Sequence, residues 1–276
     1  MLLLALSPQS ARSQTIIDTQ LRPETVAEFD RYVRATEARI DREISRPGTF
    51  LYLSELPSAT RQRAMATLQQ GGVFIQRLQT RDASGRVITT PGGLIHHWLA
   101  DVFIPGVTVE RVLSVVENYN HAHAYYPQVV RSRLLSRDGN NFKVALRLRE
   151  HKIITVTLDT VHDVRYTELD PTHWSSRSVS TRIAEVVDAG KPGEHDKPPG
   201  HDAGFLWRMN SYWRFVQQNG GVYIECESIS LTRDIPTGLG WLIGPFITSI
   251  PEKSLTETLT ATRKAVLAAQ PKNVSS

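Results

Sequence analysis

A single cysteine, Cys226, in 276 residues excludes a disulfide framework within the chain. Long apolar runs are also missing. Nowhere do about 18 apolar residues follow one another, so the sequence encodes no membrane-spanning helix. Charge of one sign is scarce: 32 Lys and Arg against 28 Asp and Glu leave +4 with His neutral. The basic residues are scattered, whereas nucleic-acid binding needs several phosphates met together, so no nucleic-acid partner is expected. Catalytic signatures are lacking as well, with no Gly-x-Ser-x-Gly elbow, no phosphate-cradling loop and no dinucleotide fingerprint after a strand. Nine His lack zinc-site spacing, and the adjacent pair His96-His97 must point to opposite faces of a strand. Neither a metal nor another cofactor is expected.

The 40% of residues that are hydrophobic suffice for a sizeable core and exclude intrinsic disorder. Leu2 to Leu6, followed by Ala11-Arg12-Ser13, read as the tail of a secretory signal over residues 1–14. That reading implies a periplasmic or secreted protein. Residues 15–92 read as an N-terminal helical extension. Val26, Phe29, Val33, Ile40 and Ile44 give a helix over 23–44, and a weaker helix covers 57–70. Short strands are expected at 50–53 and 73–78.

From residue 93 the pattern is regular: a strand over 94–104, then a helix capped by Thr108 that runs to about residue 118. Strands are expected at 129–136, 142–149, 153–161, 164–169 and 174–186, and a long loop at 188–204. Residues 205–216 and 222–232 form a hairpin around Asn219-Gly220-Gly221. An apolar, Gly- and Pro-punctuated stretch over 238–250 precedes a helix over 251–269, with Leu255, Leu259, Thr262 and Val266 on one face. An antiparallel sheet of this size must bury one face, and the last helix is its large amphipathic partner. The expectation is an α+β domain, with room for a cavity between helix and sheet.

Alternation sorts the candidate ligand-binding residues. Trp207, Met209 and Trp213, with Ile224 on the partner strand, should face the helix, which offers Leu255 and Leu259. Trp241 and Phe246 come from the apolar stretch, either as a buried lead-in to the helix or as a cavity gate that touches membrane. Each of these residues suits plain core as well as a pocket wall. The opposite parity holds Arg208, Asn210, Tyr212 and Arg214. In one reading Arg208 and Arg214 meet Glu225 and Glu227 as a solvated ladder, worth a few tenths to about 1 kcal/mol per pair. In the other, Arg208 or Asn210 turns inward to anchor a ligand headgroup, and Tyr212 is a further ligand-binding candidate. Tyr212, Arg208 and His97 are the acid–base candidates, without a specific pattern.

The passage Gly93-Leu-Ile-His-His-Trp-Leu-Ala-Asp-Val-Phe-Ile-Pro-Gly106 precedes the first helix of the regular region. With residues 205–215, 222–233 and 254–266 and the order of elements, it resembles the START-like (SRPBCC) family of helix-grip proteins over residues 93–270. The resemblance implies a curved antiparallel sheet wrapped around the C-terminal helix. It also implies an internal pocket for a hydrophobic molecule and no universal catalytic set. The expected role is binding or transport of a hydrophobic or amphipathic small molecule such as a lipid, with transient membrane-surface contact. The alternatives are a cyclase- or hydrolase-type enzyme using the same cavity, or a structural protein with a filled core.

Overall fold

The computed structural model describes residues 18–235, 237–238 and 240–269, apart from the side chains of residues 242–243 and 245–248. The signal-like residues 1–14 and the Phe246 side chain lie outside this set. A short strand β1 (Thr19–Gln20) leads into helix α1 (Pro23–Ser45). Pro23 starts the helix where a missing N–H costs nothing, and Glu24 suits the positive end of the helix dipole. The strand expected at 50–53 is instead a 3-10 turn, Tyr52–Glu55. Here Leu51, Leu53 and Leu56 pack onto the sheet, and Tyr52 N donates to Glu225 Oε2 at 2.8 Å, so the segment caps the sheet rather than joining it.

Helix α2 (Ser58–Gln69) is followed by β2 (Val73–Arg77) and β3 (Gly93–Pro105). Helix α3 (Val109–Val116) starts at Thr108, whose side chain accepts from Arg111 N, and the short α4 (Ala122–Tyr125) comes next. Four strands succeed one another: β4 (Val129–Asp138), β5 (Asn141–His151), β6 (Thr155–Asp170) and β7 (His173–Val187). The two strands expected at 153–161 and 164–169 are thus one strand, β6. Its register against β7 shifts between Val161 and His162, so two β7 residues answer one of β6 and the inward parity of β7 flips beyond Ser180.

The 188–204 loop carries two short strands, β8 (His195–Asp196) on β7 and β9 (His201–Asp202) on β1. Strands β10 (Arg208–Gln218) and β11 (Gly221–Arg233) form the hairpin. Asn219 and Gly220 both take positive φ, 53° and 74°, which matches the strand twist in a two-residue turn. The last helix, α5 (Gly240–Ala268), begins some ten residues before the expected start. Pro245 and Pro251 each remove one backbone donor, but neither stops a helix whose second half is held by packing.

Strands run antiparallel in the order β2-β3-β11-β10-β7-β6-β5-β4, with β8 beside β7. The inner face of β2, β3 and β11 meets α5, and α3 packs against α5. The main core lies here, with Val102, Ile104, Phe215, Ile224, Val109, Val112, Leu255 and Leu259 in contact. The outer face is covered too. Phe29, Tyr32 and Ile40 of α1 pack on Tyr212, Ile229 and Leu231, while Leu51, Leu53, Ala64 and Leu68 pack on Val216 and Tyr223. The extension is therefore the second cover of the sheet.

Candidate functional site

Because α5 lies mainly over β2, β3 and β11, it leaves part of the inner face of β5, β6, β7 and β10 uncovered. A cavity of about 290 Å3 fills the gap. That is the lower end of the range for small-molecule sites. Its walls are apolar side chains of β5 and β6 (Val144, Leu146, Leu158, Val164), Leu255 of α5, and Met209 and Trp213 of β10. Trp213 stacks on Phe215, with centroids 6.0 Å apart and planes at 14°.

Apart from one carboxylate, the polar groups in the described walls are uncharged. Tyr119 and Tyr166 share a hydrogen bond between hydroxyls at 2.9 Å, and burial pushes both phenols up. Tyr126 OH is 3.2 Å from Thr262 Oγ1 on α5. Burial drops His162 to a pKa of about 4, so its ring is uncharged at neutral pH, with Nε2 3.0 Å from Thr160 Oγ1. Hydroxyls of Ser176, Ser178, Ser211, Ser228 and Ser230 cover part of the floor. The one lining carboxylate among the described residues is Glu150, raised by burial and 3.9 Å from Lys253 Nζ.

Sequence expectation and structure agree for some positions and part at others. Met209, Trp213 and Leu255 line the cavity. Ile224 and Leu259 are fully buried between α5 and the sheet, in the packed core beside the cavity. Trp207 does not face α5. Strand β10 starts only at Arg208, so alternation does not reach Trp207, which packs with Phe29 and Tyr32 under α1. Its indole N–H finds an acceptor there, Asp202 Oδ1 at 2.9 Å, as a buried tryptophan requires. Trp241 stands 67% exposed in the first turn of α5, not as a buried lead-in.

The opposite parity is neither a solvated ladder nor a headgroup anchor. Arg208 pairs across the hairpin with Leu231, not with a glutamate, and donates to the Trp207 carbonyl. Asn210 donates to Tyr212 OH, which in turn donates to Glu37 of α1 at 2.9 Å, so both face outward under the extension. Arg214 is 1% exposed. Its Nη1 donates to Glu43 Oε2 (2.8 Å) and to the Phe50 carbonyl (2.9 Å), and its Nη2 to Glu227 Oε2 (3.4 Å). Its Nε lies 2.8 Å from Glu225 Oε1. Arg39 of α1 bridges Glu43 and Glu227, and His97 Nε2 lies 2.6 Å from Glu227 while Tyr32 OH reaches its Nδ1 at 2.7 Å. Asp101 stands opposite Glu225, and burial with the neighbouring carboxylate pushes Asp101 well above the usual range. His96 points to the other face, 3.0 Å from Thr232 Oγ1, as adjacent strand residues must.

Alternation does carry a signal for the serine floor. Ser176, Ser178 and Ser180 recur at one parity of β7, and Ser228 and Ser230 at one parity of β11. His162, Tyr119 and Tyr166 carry no such signal. Among the described residues, no group of three or more His, Cys, Asp or Glu is placed to hold a metal ion, and no helix is long and apolar enough to cross a membrane.

No known protein family matches the sequence, and no curated protein is similar to it. Among solved structures, the chain is similar to a protein of Thermus thermophilus at 15% identity, covering 63% of this chain and 98% of that one with a TM-score of 0.46. It is similar to a STAR-related lipid transfer protein of Xanthomonas axonopodis at 17% identity, covering 69% and 98% with a TM-score of 0.45. An aromatase/cyclase of a Streptomyces species is similar at 14% identity, covering 63% and 94% with a TM-score of 0.41. Fold does not fix function, and likeness at these identities says nothing of the ligand. With one open antiparallel sheet holding a long C-terminal helix on its inner face and N-terminal helices on its outer face, the chain has an α+β helix-grip fold.

Proposed function

We propose that the protein binds a hydrophobic or amphipathic small molecule, of the size of a lipid or smaller, in the cavity between α5 and the sheet. The observation that carries this reading is the cavity itself, about 290 Å3 of unfilled space walled by Val, Leu, Met and Trp side chains. A packed interior tolerates few voids larger than a water, so an apolar void of this size is a place for a ligand. The titratable groups favour binding over acid–base work. A catalytic pKa belongs near the working pH, whereas His162 sits at about 4 and the phenols of Tyr119 and Tyr166 are raised. The exposed Trp241 and Ile153 offer apolar groups to a membrane surface, from which such a molecule would be taken up. Native mass spectrometry of the purified protein after incubation with a total lipid extract tests the binding. A stoichiometric adduct of small-molecule mass supports it, and a clean apo mass at every lipid concentration contradicts it.

A further inference from the structure

The cavity floor has a chemical pattern of its own. On β10 the inward residues are Met209, Ser211 and Trp213, so a small hydroxyl sits in a notch between two large side chains. The register sets Ser211 directly opposite Ser178 of β7 on one side and Ser228 of β11 on the other. Adjacent strands lie about 4.8 Å apart, so these three hydroxyls form a row about 10 Å long across the sheet. Ser176 and Ser230 extend the polar floor on either side.

Two further observations point from this row to a ligand. Ser176 and Ser230 are 4% and 6% exposed and line the cavity, yet among the described residues neither hydroxyl has a hydrogen-bond partner in the protein; nor do those of Ser178, Ser211 and Ser228. None of these hydroxyls is among the fully buried polar atoms left without a partner, so each opens onto the cavity, where a ligand can supply the hydrogen bond that the protein does not. The second observation is the charge of the walls. The described lining has no Lys or Arg, and its one carboxylate is Glu150, paired with Lys253. A phosphate or carboxylate at the serine row would be buried without a counter-charge.

We propose that the serine row recognises a neutral ligand, one that carries hydroxyl or carbonyl oxygens along one edge of an apolar frame. The inference rests on the cavity being the ligand site. Met209 and Trp213 grip the frame on either side of the notch, and the hydroxyls, each donor and acceptor, take either kind of oxygen.

Estradiol, a rigid apolar frame with a hydroxyl at each end, and estratriene, its hydrocarbon parent, are suitable probes. Both are titrated into the wild type and the S178A/S211A/S228A variant, followed by Trp fluorescence and native mass spectrometry. The row predicts that the wild type prefers estradiol by about tenfold or more, and that the triple variant loses this preference while binding estratriene at least as well. S211A alone, a smaller change, should lose several-fold of the preference and gives the answer if the triple variant does not fold. Equal wild-type affinity for the two probes, or a preference that survives the substitutions, overturns the row and leaves the cavity reading standing. If the wild type takes up neither probe, the row is overturned, and the cavity reading is decided separately by whether the lipid extract gives an adduct.

Discussion

Replacing Arg214 by Met tests whether the outer face of the sheet is a buried ion network. The guanidinium touches Glu43, Glu225 and Glu227 and donates to the Phe50 carbonyl, at an exposure of 1%. R214M keeps the apolar bulk and leaves the three carboxylates facing one another, with Arg39 on Glu43 and Glu227, His97 on Glu227 and the Tyr52 N–H on Glu225. Removing one partner of a buried pair costs about 3–5 kcal/mol. For a chain of this size, that lowers the melting temperature by roughly 10 °C. Urea unfolding at pH 7 reads the free energy directly, and R31M, at the exposed pair of Arg31 with Glu28, is the control, expected to lose under about 1 kcal/mol. The orphaned carboxylates of R214M become easier to protonate, so its deficit should shrink as the pH falls from 7 to 5. A companion E43Q change should recover part of it. An R214M loss below about 1 kcal/mol, equal to the control, would refute the reasoning and restore the solvated ladder.

Two further outcomes follow from the cavity walls. His162 has a folded pKa of about 4 against an ordinary 6.5, so the unfolded chain binds its proton first as the pH falls. Its contribution is intact above about pH 6.5 and is lost on the way down to 4, by about 3 kcal/mol in all. The stability difference between wild type and H162Q should therefore narrow over that window, and a difference independent of pH would contradict the buried neutral ring. Replacing Trp213 with Leu should change ligand uptake more than melting temperature, because the indole lines the cavity; a large stability loss with unchanged uptake would make it plain core.

The inner half of the molecule was legible from periodicity. The hairpin at Asn219-Gly220, the Leu255 to Val266 stripe and the inward set Met209, Ser211 and Trp213 all follow from spacing. The outer half was not. Arg214 and Glu227 look solvated on a strand because the groups that bury them, Arg39 and Glu43, lie more than 170 residues earlier and no local pattern connects them. Trp207 was misplaced for a local reason, since alternation holds only inside the strand and β10 begins one residue later. Pro245 and Pro251 similarly obscured the start of α5, where tertiary packing outweighs propensity.

The central claim is that the void between α5 and the sheet holds the ligand, and filling that void tests it most directly. S211W places an indole in the notch between Met209 and Trp213, toward open space rather than packed core. Native mass spectra of wild type and S211W, each incubated with the same lipid extract, should show a small-molecule adduct on the wild type and none on the variant, at similar melting temperatures. An adduct of the same mass and occupancy on S211W would contradict the account.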